Sequence, residues 1–123
     1  MTLLADTSVW IDHFRRGNPR LAAALEDQDV LTHPFVIGEL ACGDLRDRSA
    51  VLALLHRLPR ATVATDDEAL ALIGNRRLMG RGLGYIDVHL LASALLSSSV
   101  TLWTLDAPLA STAARLGIGA PTP

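Results

Sequence analysis

At 123 residues, half of them hydrophobic and only five aromatic, the chain has room for one domain, 1–123, whose core must be filled by Leu, Ala and Val. A formal charge of −2 excludes a global basic field, so a nucleic-acid contact would need a local patch, and the eleven basic residues are all Arg, which removes every mechanism that needs an amine. The single Cys excludes an internal disulfide and a Cys-based zinc site, and with no leader pattern and no apolar run near ~18 residues the expectation is a soluble, cytoplasmic protein without a membrane segment.

Residues 2–5 read as a short buried strand, followed by a helix from Ser8 to Arg16 that Gly17-Asn18-Pro19 ends. Pro19 suits the first turn of a second helix running to about Gln28. "DVLTH" (29–33) is a short strand, Pro34 opens a helix through Phe35–Asp44, and a further helix covers Arg48–Arg57. "ATVAT" (61–65) reads as a third strand, with Asp66 or Asp67 capping a helix to about Leu78. The Gly-rich "GRGLG" (80–84) leads into an apolar helix (85–97), "SVTLWTL" (99–105) is the strongest strand pattern, and Pro108 starts the last helix. Strands separated by helices predict an α/β domain: a parallel sheet covered on both faces and built with right-handed crossovers.

Four carboxylates stand where the crevice of such a sheet is expected, beyond the carboxyl ends of the strands. Asp6 follows the first strand and Asp106 the last, and each could be no more than a helix cap. For Asp6 that reading is weakened because Thr7 and Ser8 could cap the helix instead. Glu39 has Phe35, Val36, Cys42 and Gly43 at helical spacing, an apolar face on which a carboxylate needs a partner. Asp87 lies in the first turn of its helix above Leu90 and Leu91, a position read as facing inward. Carboxylates gathered in one crevice, with no Lys to neutralise them, point to a cation among them. Oxygen-only ligation points to Mg²⁺ or Mn²⁺, and such ions support hydrolysis of phosphodiesters.

"LLADTSVWID", "VIGELACG", "LGYIDVHLLASAL" and "LWTLDAPLA", in that order, resemble the four motifs of PIN-domain ribonucleases, and more narrowly those of VapC toxins of toxin–antitoxin modules. The resemblance covers essentially the whole chain. It implies a three-layer α/β domain with a parallel sheet of four to five strands flanked by helices, and Mg²⁺- or Mn²⁺-dependent cleavage of RNA. It also implies a homodimer and a cognate VapB antitoxin that covers the site. Carried over by position, Asp6, Glu39, Asp87 and Asp106 are the acidic quartet, with Asp6, Asp87 and Asp106 on the metal and Glu39 activating water. Thr104 matches the family's hydroxyl residue, which positions the attacking water or a neighbouring carboxylate. In this reading helix entry after Asp6 falls to Thr7 and Ser8.

The remaining signals are weaker. "GRGLG" follows a helix and lacks the Lys of a phosphate loop, so it reads as a connector. Arg76, Arg77 and Arg81 are either solvated helix-end charges or contacts to RNA phosphates. His13, His33, His56 and His89 show no ligand spacing and read as surface or core filler. Asp12 reads as an exposed helical acid near Arg15 and Arg16, with a supporting place beside the quartet as the alternative, and Trp10 and Trp103 read as core or dimer contacts. A phosphoacceptor domain would need a late Lys, which is absent; a catalytically silent PIN-fold binding module would be favoured by a missing acid, and none is missing.

Overall fold

In the computed structural model, which describes residues 2–121, the first strand forms the middle of the sheet. Residues 1, 122 and 123 of the expected single domain lie outside the described residues. β1 (Thr2–Ala5) is flanked by β2 (Val30–Leu31) and β3 (Val100–Trp103), both parallel to it. Leu3 pairs with Val30, and Ala5 with Trp103. A strand buried on both faces suits the unbroken apolar run Leu3-Leu4-Ala5, of which Leu4 and Ala5 are fully buried. The chain leaves β1 toward β2 on one side and returns to β3 on the other, so a crevice opens at the carboxyl end of β1.

Among the described residues seven helices surround this sheet: α1 (Thr7–Arg16), α2 (Pro19–Glu26), α3 (Pro34–Cys42), α4 (Arg48–Arg57), α5 (Asp66–Arg76), α6 (Tyr85–Leu96) and α7 (Ala107–Arg115). α6 is apolar nearly all round and is buried continuously from Val88 to Ala94. Leu90 and Leu91 join Leu4, Trp10, Leu40, Leu102 and Leu109 in one core.

Two outer segments meet the sheet through single parallel bridges, Thr32 with Arg60 and Leu102 with Gly119, at the flanks where a four- to five-stranded sheet would continue. The strand expected over 61–65 is therefore a loop whose only ladder contact is at its start, where the Ala61 amide donates to the Thr32 carbonyl. Val63, its one strongly β-forming apolar residue, is exposed, so nothing on that segment holds a register. The cap of α5 is also one residue earlier than Asp66: Thr65 accepts from the Glu68 amide while Glu68 accepts from the Thr65 amide.

α3 and α6 are tied together by a ladder of rings. His33, Phe35, His89 and Tyr85 follow one another with centroids 5.4, 4.8 and 4.7 Å apart. His33 is fully buried: its Nδ1 accepts the Phe35 amide as the cap of α3, and its Nε2 meets Ser93 Oγ at 3.0 Å. An amide can only donate, so the ring proton belongs on Nε2 and the imidazole is neutral. At the far end Asp66 accepts from Tyr85 and pairs with His89 Nε2.

Candidate metal-dependent hydrolase site

The Asp6 amide still pairs with the Trp103 carbonyl at 3.0 Å, so its side chain emerges at the last rung of the sheet. It is 6 % exposed, and burial pushes its carboxyl above the ordinary value, against the opposing pull of the hydrogen bonds from Ser8, Thr104 and the local amides. Asp6 is also the N-cap of α1, accepting from the Val9 amide at 3.3 Å. Helix entry is thus not handed to Thr7 and Ser8, as the sequence suggested. Their hydroxyls are engaged elsewhere, Thr7 with Glu39 and Ser8 with Asp6 itself.

Thr104 is buried directly beneath Asp6 and donates to its Oδ2 at 2.6 Å, while accepting the Asp106 amide at 3.0 Å. Asp106 is exposed and caps α7 through the Leu109 amide at 3.1 Å. Asp87 is half-buried, and its Oδ2 accepts the Gly84 amide at 2.9 Å. Its carboxyl is raised first by burial, opposed by that amide, and then by the charges of Asp106 and Asp6. Three carboxylates from distant parts of the chain therefore share one field.

Glu39 departs from expectation. It is exposed rather than packed inward, because Gly38, Cys42 and Gly43 around it are exposed too and that side of α3 forms an open rim. One oxygen accepts the Thr7 hydroxyl at 2.7 Å, which aims the side chain across toward the start of α1.

The donor chemistry suits a small hard cation, since every group offered is oxygen. Among the described residues, no three His, Cys, Asp or Glu side chains stand close enough to form a finished cage. The hydrogen bonds explain this: Asp87 and Asp106 each turn one oxygen back onto a helix-terminal amide, leaving the other without a hydrogen-bond partner among the described residues. Those two oxygens and the second lone pair of Asp6 Oδ2 are the acceptor positions that these hydrogen bonds leave open.

Several of the weaker signals have local partners in the fold. The "GRGLG" connector packs by Gly82 (φ +79°) against Pro108, just beyond Asp106, and reaches Asp87 through Gly84. Arg81 donates to the Arg77 carbonyl and Arg115 to the Arg76 carbonyl, which satisfies the end of α5. Asp12 pairs with Arg16 and Asn18, Trp10 is fully buried, and Arg20 lies 4.5 Å over the Trp103 ring. Sequence reasoning missed Thr7 and Ser8 as partners of the carboxylates. Their signal is the pair of adjacent hydroxyls after Asp6, more than one cap requires.

The model of the PIN domain family matches residues 3–115. Two relatives named Ribonuclease VapC32, from the CDC 1551 and H37Rv strains of Mycobacterium tuberculosis, are each 47 % identical over 116 residues, covering 94 % of this chain and 94 % of their own.

Proposed function

The chain belongs to the PIN-domain family, on its VapC ribonuclease branch, and from that premise we propose that it is the toxin of a VapBC module, an endoribonuclease using Mg²⁺ or Mn²⁺ held by Asp6, Asp87 and Asp106. The observation that carries this reading is the linkage at the mouth of the sheet, where Thr104 donates to Asp6 Oδ2 and accepts the Asp106 amide, with Asp87 near enough to feel both charges after its burial. When bound, the ion would offset the clustered negative charge and polarise the scissile phosphate. Asp6 is held by Ser8 and Thr104, so it meets a ligand without reorganising. Glu39, fixed by Thr7 through one oxygen, has its other oxygen to orient a water and take its proton. The water oxygen bonds to phosphorus, the bond to the 3′ oxygen breaks and that oxygen gains a proton, leaving a 5′-phosphate and a 3′-hydroxyl.

The partners in this reading are RNA, a second copy of the chain in a homodimer, and a VapB-type antitoxin. A groove of about 670 Å³ beside Glu39, lined by Ile11, Phe14, Leu45 and Val51 and carrying Asp44 and Asp47 as well as Arg15 and Arg46, suits an apolar segment flanked by charged residues of both signs. No helix among the described residues is long and apolar enough to cross a membrane. A cytoplasmic location follows from an RNA target. The test is Mn²⁺-dependent cleavage of structured RNA by protein freed of antitoxin: Asp87→Asn should abolish it, and a near wild-type rate would remove Asp87 from the site.

A further inference from the structure

We propose that Ser8 is a positioning residue for this reaction: it occupies one oxygen of Asp6 so that the other is the one presented to the cation. The inference rests on the assignment of Asp6 as a metal ligand, and the test below separates the two.

The argument starts from two consecutive backbone amides. The Leu105 amide donates to Ser8 Oγ at 2.9 Å, and Ser8 Oγ donates to Asp6 Oδ1. The Asp106 amide donates to Thr104 Oγ1 at 3.0 Å, and Thr104 Oγ1 donates to Asp6 Oδ2 at 2.6 Å. These directions are forced, because an amide only donates, an ionised carboxylate only accepts, and each hydroxyl has a single proton. The 3.4 Å contact between the Ser8 and Thr104 oxygens therefore contains no proton. The two relays run side by side, each from an amide at the β3–α7 turn to one oxygen of Asp6. Each amide polarises its hydroxyl and strengthens the bond that follows.

The relays are not equivalent at the carboxylate. Oδ1 accepts from Ser8 and also from the Val9 amide at 3.3 Å, so both of its lone pairs are engaged. Among the described residues Thr104 is the one side-chain donor to Oδ2, which leaves a lone pair open there. Ser8 thus completes the oxygen that caps α1 and leaves Oδ2 to ligate. Without the Ser8 hydroxyl, Oδ1 is left with backbone amides alone, the Leu105 amide loses its acceptor, and the carboxylate is held less firmly about its own axis.

The test compares wild type with Ser8→Ala, Ser8→Thr and Asp6→Asn, measuring the Mn²⁺-induced rise in melting temperature without RNA and the steady-state cleavage of RNA. Ser8→Ala is expected to weaken the apparent Mn²⁺ affinity by about tenfold and to lower kcat by a similar factor at unchanged KM, the scale typical of groups that orient a metal ligand. Ser8→Thr, which keeps the hydroxyl, is expected to restore both; if Ser8→Ala fails to fold, Ser8→Cys with its weak donor takes its place in the comparison. A Ser8→Ala protein with a lower melting temperature in EDTA but an unchanged Mn²⁺ increment and kcat would overturn the proposal and leave Ser8 a structural tie. An Asp6→Asn protein with an undiminished Mn²⁺ increment would overturn the assignment of Asp6 as a ligand, and the role of Ser8 with it.

Discussion

Thr7, the first residue of α1, holds Glu39 on α3 through a 2.7 Å hydrogen bond from its hydroxyl to Oε1. The bond crosses the mouth of the crevice and leaves Oε2 as the oxygen available to a water. Because Glu39 is exposed, its loss should leave stability within about 0.5 kcal/mol of wild type. Glu39→Gln is therefore expected to be folded and inactive. Thr7→Val, which removes one hydrogen bond to a charged group at the rim, should lower kcat by about fivefold, equivalent to about 1 kcal/mol. Steady-state cleavage and thermal melts check both, and an unchanged kcat in Thr7→Val would show that Glu39 aims itself.

Asp6 should make the metal-free protein pH-sensitive. Its carboxyl is raised by burial, so the stability present below the ordinary value of 3.8 is lost as pH climbs through the raised native one. Asp6→Asn lacks this titration, and its side chain still serves as a cap. In EDTA the variant should gain about 1 kcal/mol on wild type between about pH 3.5 and pH 7, a few degrees in melting temperature. Millimolar Mn²⁺ at pH 7 should stabilise wild type and leave the variant nearly unmoved. Parallel pH profiles for the two proteins would return Asp6 to a plain helix cap.

His33 acts in the opposite sense. Burial first, then the charges of His89 and Arg60, hold its pKa down to about 4 from the ordinary 6.5. Protonation also removes the lone pair that caps α3. Stability linked to this group is full above about pH 6.5 and falls as pH drops toward 4, because the unfolded chain binds the proton more readily. At pH 5 the loss should be about 1 kcal/mol after allowing for solvent screening. Urea denaturation at pH 7 and pH 5 measures it. His33→Asn, which can still cap, should show a smaller difference between the two pH values, and an equal difference would place the titrating group elsewhere.

The antitoxin reading predicts poor recovery of this chain expressed alone and good recovery beside a neighbouring small open reading frame encoding a basic, apolar segment. Glu39→Gln expressed alone should accumulate freely, since the arrest of growth comes from RNA cleavage rather than from misfolding. Abundant, active and harmless wild-type protein without a partner would contradict the toxin assignment.

The order of strands and helices was legible because several helices open on a local signal, such as Pro19, Pro34 or Pro108, and the strands β1, β2 and β3 are short, largely apolar runs. The segment 61–65 was misread because alternation alone does not say whether a core face exists to receive it, and its buried positions are only Ala61 and Ala64. The proposed quartet was named from its motifs, and those motifs did not reveal the exposure of Glu39. Counting apolar neighbours along α3 cannot reveal that Cys42 and Gly43 face an open crevice. The double role of Asp6 was hidden for a related reason. Which of three adjacent polar side chains caps α1 depends on where residues 104–106 arrive in space, and no local pattern encodes that.

A protein that destroys RNA is itself made from an RNA template, and the topology bears on that hazard. β1 emerges first during synthesis, yet both faces of its hydrogen-bonding ladder are satisfied only once β3 has been made. Until then Asp6 has neither Thr104 beneath it nor Asp106 near it, although Glu39 and Asp87 have already been joined to the chain. On the proposed site assignment, the growing chain should lack nuclease activity until β3 is placed beside β1 and brings Thr104 and Asp106 to Asp6. The same delay leaves one edge of β1 open to pairing with another chain. Premature termination before Val100 should therefore yield a harmless but aggregation-prone fragment rather than a weakened nuclease.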